Sequence, residues 1–488
     1  MRIVFVASEC VPYSKTGGLA DVVGALPQAL AASGHQVDVL IPRYRVTKPG
    51  PLVREAANLT IPIASGFRFA AVQQGGVAKG LRHYLIDCPE FFDREGLYQA
   101  PDGSDYPDNP VRFGGFCLSC LEFLKRLPDP PDIVHCHDWQ TALTPIYLKK
   151  LYAQDPFFRQ TSTVLTIHNL GYQGLFAPEV LPRISLDQSL FSVEGLEFFG
   201  KVNFLKGGII FADFVTTVSR KYAAEIQTTT FGYGLEGVLR VHAGKLKGIL
   251  NGADYDAWNP ATDKLIPAQY TPEKLDAKEV CKRGLLRKMG VVEPLMSRPV
   301  IGIVSRFTRQ KGFDLIAEVA DELMKMYVYV VALGAGEPEF EELFRSLRAR
   351  YPEKFLVKVA YDNELAHQIE AGADIFLMPS LYEPCGLNQM YSLKYGTVPV
   401  VRATGGLDDT IQEFDGTEGT GFKFTEYSGE ALLVAVCKAV QTYGQQSAWR
   451  RLMKNGMLKD FSWAASAKSY GEVYQGVRAG TARTNAAP

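Results

Sequence analysis

The residues best equipped for chemistry fall into four short clusters. Lys15-Thr16-Gly17-Gly18-Leu19 sets a cation and paired glycines just ahead of an apolar stretch of helical period. Glycines let the backbone approach an anion closely, and a helix start offers unpaired N–H groups at the positive end of its dipole. Ser305-Arg306-Phe307-Thr308-Arg309-Gln310-Lys311-Gly312 repeats the arrangement. A fork-shaped guanidinium beside a compact ammonium suits a diphosphate. Neither cluster is Gly-x-Gly-x-x-Gly, and no Gly-x-x-x-x-Gly-Lys-Ser/Thr occurs, so neither a nicotinamide cofactor nor a P-loop is supported.

The third cluster is Pro379-Ser380-Leu381-Tyr382-Glu383-Pro384-Cys385-Gly386-Leu387, with Tyr391 eight positions after Glu383. A carboxylate there can accept hydrogen bonds from sugar hydroxyls, and Gly386 permits close approach of a ligand. Cys385 has no base that the sequence places beside it, so its backbone is the expected contributor. The next loop, Thr404-Gly405-Gly406-Leu407, offers a second anion cradle. The fourth cluster is His135-Cys136-His137-Asp138-Trp139 with Ile167-His168-Asn169. Metal is the tempting reading, with Cys117-x-x-Cys120 lending thiolates. No second Cys pair stands at zinc spacing, however, and successive strand residues point to opposite faces. Asp138, Trp139, His168 and Asn169 are instead expected as a polar rim, with Trp139 a platform for a sugar face. No metal and no cofactor is expected.

These clusters need positioning elements. Ile3 to Ala7 reads as a strand, Leu19 to Ala32 as a helix and Val37 to Ile41 as the next strand. Further strands are expected at 133–136, 163–167, 214–218 and 247–250. A second series covers 299–304, 327–333, 355–359, 374–378 and 398–401, with a helix at 387–394. Such alternation from end to end predicts an α/β chain with parallel sheets and crossover helices. Two Rossmann-like halves are expected, 1–254 and 255–461, joined through the Pro-rich stretch from Trp258. Each chemical cluster then follows a strand, where open α/β sheets bind ligands.

Composition narrows the function classes. Of 488 residues, 47% are hydrophobic and 22% charged, which excludes a disordered or fibrous chain. Lys+Arg is 52 against Asp+Glu 53, so no global basic field holds nucleic acid or an anionic membrane. No apolar run reaches the roughly 18–20 residues of a membrane helix. The eight cysteines form no disulfide framework, and with no export signal a cytoplasmic protein is expected.

The motifs in this order resemble the glycogen synthases of bacteria and the related starch synthases. The likeness is carried by Lys15-Thr16-Gly17-Gly18-Leu19, His137-Asp138-Trp139, His168-Asn169, Asn251-Gly252-Ala253-Asp254, Arg306-x-x-x-x-Lys311, Glu383-Pro384-Cys385-Gly386-Leu387 and Thr404-Gly405-Gly406-Leu407. Phe92-Asp93-Arg94 and the 105–109 stretch extend it, from about residue 1 to residue 475. The resemblance implies a GT-B fold, two Rossmann-like domains facing each other across a deep cleft. It also implies a last helix, about 462–476, returning to the first domain; the small, polar stretch 479–488 is expected on composition as a flexible tail.

The implied activity is that of a retaining hexosyltransferase. Glucose moves from ADP-glucose to the non-reducing end of an α-1,4-glucan, glycogen or a malto-oligosaccharide. Lys15, Gly18, Arg306 and Lys311 would hold the diphosphate, with Gly17, Ser305, Gln310, Cys385, Gly386, Leu387, Gly405 and Gly406 completing the donor site. Glu383, His168 and Asn251 would bind the donor glucose and Tyr361 would pack on the base. Asp138 would lie beside the reacting centre, with Tyr98, Trp139 and Asn169 toward the acceptor. Tyr391 stands where the wider superfamily often carries a second glutamate. Rival readings are a UDP-glucose-using transferase, a sugar-nucleotide epimerase, a pyridoxal-dependent phosphorylase and a non-catalytic glucan-binding module.

Overall fold

The structure is a computed structural model and describes residues 1–47, 54–63 and 66–485. The chain forms two compact units. The first holds Met1–Val218, Ala223–Gly252 and the chain from Trp463; the second holds Ser219–Tyr222 and Ala253–Ser462.

The strands of the first unit are β1 (Arg2–Val6), β2 (Gln36–Pro42), β3 (Arg54–Ile63), β4 (Gly66–Ala78), β5 (Leu81–Asp87), β6 (Ile133–His137), β7 (Ser162–Ile167), β8 (Leu175–Phe176), β9 (Glu197–Phe198), β10 (Lys201–Asn203), β11 (Phe214–Thr217) and β12 (Leu246–Gly248). Among the described residues nine of them make one sheet, ordered β12-β11-β7-β6-β1-β2-β5-β4-β3, and β8-β10-β9 a small separate one. Parallel pairing puts Val6 of β1 opposite Leu40 of β2 and Cys136 of β6. Strand order therefore reverses at β1, and ligands of such sheets bind beyond the carboxyl ends at that point. Ile3, Val4, Phe5 and Val6 are all fully buried, because helices cover both faces of a parallel strand.

The alternation expected throughout breaks at β4, which runs antiparallel to both β3 and β5. Here a two-residue turn, Lys79-Gly80 with Gly80 at φ 77°, replaces a crossover helix. The helix Gly18–Ala32 turns Leu19, Val22, Val23, Leu26 and Leu30 inward at helical spacing. The same core takes Trp463, Tyr470, Val473 and Tyr474 from the last helix. That helix runs Trp463–Asn485, past the expected end at 476 and through most of the stretch read as a flexible tail. Ala479 to Arg483 contains no proline to stop it. Residues 486–488 of that stretch lie outside the described residues.

The second unit contains β13 (Val300–Val304), β14 (Tyr329–Gly334), β15 (Phe355–Val359), β16 (Ile375–Met378), β17 (Val398–Arg402) and β18 (Phe422–Phe424), all parallel, in the order β15-β14-β13-β16-β17-β18. Its order reverses at β13. The observed boundary falls at Gly252, two residues before the expected 254, and one short segment crosses it. Ser219–Tyr222 belongs to the second unit, where Ser219 Oγ donates to the Pro384 carbonyl at 2.5 Å and Arg220 N to Asp409 at 2.5 Å.

Candidate active site

In the second unit, the loops after β13, β16 and β17 build one another. Glycine makes this possible at three places. A Cβ on Gly312, at φ 74°, would stand 2.0 Å from the Pro379 carbonyl oxygen. One on Gly405, at φ 45°, would stand 1.9 Å from the Glu383 carbonyl oxygen, and one on Gly406 equally close to that of Cys385. Gly406 N donates to Glu383 O at 3.1 Å, and Leu381 N to Gln310 O at 2.9 Å. The result fixes Glu383, 6% exposed, with Oε2 accepting from Lys311 Nζ at 2.6 Å and from Ser380 Oγ at 3.0 Å.

The remaining donor-site candidates of this unit divide into framework and free groups. Gln310 Nε2 donates to Tyr382 O at 3.2 Å, so its side chain braces the loop after β16. Ser305 is held by its N–H on Leu333 O at 3.1 Å. Cys385 is buried, its carbonyl accepting from Gln389 Nε2 at 3.1 Å. Leu387 starts the helix Asn388–Lys394, and Gly386 precedes it at φ 69°. Arg306 is exposed, and its guanidinium has no partner among the described residues. Tyr361 is 90% exposed, an aromatic face open to solvent. Tyr391 stacks on Trp258, ring centroids 4.3 Å apart at 5°, with His367 on the other face of that indole.

In the first unit the turn after β1 carries Lys15, Gly17 and Gly18. No atom lies within 4 Å of a Cβ built on either glycine. Lys15 is not a lone charge: its Nζ sits 2.7 Å from Asp21, in an exposed pair. Buried Glu9, which the sequence reading passed over, holds the turn by accepting from Thr16 N, from Thr16 Oγ1 at 2.6 Å and from Gly17 N at 3.3 Å. Tyr98 reaches the same carboxylate, its hydroxyl donating to Oε1 at 2.6 Å. The signal was present: an acid three positions past an apolar strand is costly if buried unless it is paired.

Asp138 follows β6 with φ 56°, a conformation that aspartate tolerates better than most residues. Its Oδ1 accepts from His168 N at 2.7 Å, and it is half-buried. Burial pushes its carboxyl up to about 7, against the lowering effect of the His168 and Asn169 backbone N–H groups. His168 is pulled down to about 3 by burial, so it is a neutral imidazole, 3.0 Å from His137 Nδ1. Asn169 Oδ1 accepts from Gly171 N at 3.0 Å. Asn251 is buried, its Oδ1 making no hydrogen bond among the described residues. Trp139 corrects an expectation. It is 9% exposed, walled by Phe113, Phe176 and Phe204, with Gly174 so close that a Cβ would touch the indole. An apolar ring of that size gains more by closing the core than by staying open as a platform. Cys117 and Cys120 are both fully buried in the helix Asn109–Leu124.

Comparison with known proteins places this arrangement. Residues 2–241 match the starch synthase catalytic domain, and residues 290–455 match the group 1 glycosyl transferases. The glycogen synthase of Koribacter versatilis is 55% identical over 477 residues, covering 97% of this chain and 98% of that protein. The glycogen synthase of Geotalea uraniireducens is 47% identical, with 97% and 98% covered. Among solved structures, the catalytic domain of starch synthase IV from Arabidopsis thaliana, bound to ADP and acarbose, superposes with a TM-score of 0.89 at 33% identity, covering 98% of this chain and 99% of that one. Sucrose-phosphate synthase from Thermosynechococcus elongatus, at 17% identity and a TM-score of 0.61 with 98% and 99% covered, shares the fold. The fold is the GT-B kind, two Rossmann-like domains in one chain, and the chain belongs to the glycogen synthase and starch synthase family of hexosyltransferases.

Proposed function

We propose that the chain transfers glucose from ADP-glucose to the 4-hydroxyl at the non-reducing end of an α-1,4-glucan, with retention at the anomeric carbon. The observation that carries the reading is the Lys311–Glu383 pair, held on glycine-built turns, with Arg306 in the same loop making no ion pair among the described residues. Starch synthase IV, the similar structure, was solved with ADP and acarbose, which supports an adenine nucleotide and a glucan-like acceptor. All eight cysteines are unpaired, which supports a cytoplasmic location, and among the described residues no helix is long and apolar enough to cross a membrane.

Breaking the anomeric C–O bond leaves negative charge on the diphosphate and positive charge on the sugar. Arg306, Lys311 and Lys15 stabilise the leaving charge as it develops, with the Gly17-Gly18 and Gly405-Gly406 backbones contributing N–H groups. Glu383 then accepts from the glucose hydroxyls, and neutral His168 and Asn251 complete that sugar's contacts. Tyr361 packs on the base. Retention follows when the acceptor hydroxyl attacks from the leaving group's own face and a diphosphate oxygen takes its proton. Asp138, once ionised, steadies the positive sugar, and Tyr98 and Asn169 meet the acceptor beside the Trp139 wall.

The test is incorporation of labelled glucose into glycogen from ADP-glucose and, in parallel, from UDP-glucose. Incorporation from the adenine donor, several-fold above the uridine donor, is expected. Preference for the uridine donor overturns the donor assignment, and donor turnover without glucan growth overturns the transferase.

A further inference from the structure

The mechanism above makes no use of Glu9. It follows β1, is 3% exposed, and its two oxygens face different kinds of donor. Oε2 accepts from the backbone N–H groups of Thr16 and Gly17, the latter at 3.3 Å. Oε1 accepts from two hydroxyls, Thr16 Oγ1 and Tyr98, each at 2.6 Å. The Tyr98 oxygen also lies 2.8 Å from Ser8 Oγ. A backbone N–H can only donate, whereas a hydroxyl can turn its proton elsewhere and accept.

We propose that Glu9 is a positioning residue for the transfer, one oxygen holding the Thr16-Gly17 turn and the other committing the Tyr98 phenol to present its lone pairs to the acceptor sugar. This rests on the reading that the turn meets the donor and Tyr98 the acceptor. With the phenol proton tied to Glu9, the Tyr98 oxygen receives hydrogen bonds from Ser8 and from a sugar hydroxyl. Its ring lies against Phe113, centroids 5.9 Å apart, and its backbone carbonyl accepts from Asn109 Nδ2 at 2.9 Å.

The asymmetry of the two oxygens makes Glu9→Gln a selective change. The amide oxygen must face the two N–H groups, so the amide NH₂ faces the two hydroxyls. The turn keeps its bonds, but Tyr98 now accepts from the amide and points its proton away. Expected for Glu9→Gln is a several-fold rise in KM for maltohexaose, with KM for ADP-glucose and Kd for ADP within about twofold of the parent. Tyr98→Phe should raise the acceptor KM likewise, and the double variant should be no worse than Tyr98→Phe alone. Glu9→Ala, which frees both sides, should raise both constants.

Equal shifts of donor and acceptor constants in Glu9→Gln, or additive effects in the double variant, overturn the proposal. Should Glu9→Gln not fold, Tyr98→Phe carries the test, since a donor-side effect there is equally fatal. A parent protein that binds neither ADP nor maltohexaose overturns the functional reading and this proposal together. A parent that binds both without the split overturns Glu9 alone.

Discussion

Lys311 Nζ lies 2.6 Å from Glu383 Oε2, an ion pair whose side chains are 18% and 8% exposed. Ser380 Oγ donates to the same oxygen. The lysine thus neutralises a carboxylate that would otherwise stand buried and unpaired, while Arg306 nearby in sequence has no such duty. The two cations therefore predict different outcomes. Arg306→Ala should lower kcat more than tenfold with an unchanged Tm. Lys311→Ala should lower kcat as much and also destabilise by about 1–3 kcal/mol, the cost of leaving Glu383 without its partner. Thermal melts beside initial rates check both, and a Lys311→Ala protein as stable as its parent would contradict the pairing.

Asp138 predicts a pH dependence. Its carboxyl is raised by burial to about 7, and the proposed mechanism uses the ionised form. Then kcat/KM should climb as pH rises through about 7 and level off above it. His168, at about 3, stays neutral throughout and adds no limb. The stability sign is opposite. Between about 4 and 7 the folded carboxyl keeps a proton that the unfolded one has lost, so stability falls as pH rises across that window. Asp138→Asn removes the term, so its Tm relative to the parent should improve from pH 5 to pH 8. Melts at both pH values decide this.

Tyr361 tests the proposed base contact. At 90% exposure it supports no core, so its removal costs no folding energy. Tyr361→Ala should raise KM for ADP-glucose several-fold, leave Tm and the maltohexaose KM unchanged, and Tyr361→Phe should restore the donor KM. Loss of activity in Tyr361→Phe would mean that the hydroxyl, not the ring face, is what the donor meets.

Much of this was legible in the sequence because strand ends and glycine turns are local signals. The strands around Val6, His137, Ile167, Val304, Met378 and Arg402 end within a residue or two of where apolar runs meet polar ones. What was not legible depends on distant pairing. Lys311 and Glu383 are 72 positions apart, and nothing in either cluster says that one will spend its charge on the other. Buried His367 finds Asp263 at 2.8 Å across 104 positions. The β3–β4 pair carries a signal of its own, buried Leu59, Ile61 and Ile63 alternating with exposed Asn58, Thr60 and Pro62, which marks a half-buried antiparallel strand and is masked by expecting parallel strands from end to end. Trp139 was misread because exposure is set by Phe176, Phe204 and Gly174, which lie far along the chain.

Two glycines separate the needs of the fold from those of a ligand. Gly405 sits at φ 45° with the Glu383 carbonyl where a Cβ would go. Gly405→Ala must therefore move the loop that carries Glu383, and both Tm and kcat should fall. Gly17 is the contrary case: its backbone is extended, at φ -148°, and no atom lies within 4 Å of an added Cβ. Gly17→Ala costs the fold no contact, so Tm should hold. On the proposed reading the added methyl stands where the phosphates approach, and KM for ADP-glucose should rise at least tenfold with the maltohexaose KM unchanged. A Gly17→Ala enzyme with the parent's donor KM would mean that the turn after β1 does not touch the diphosphate, and Lys15 would lose its role with it.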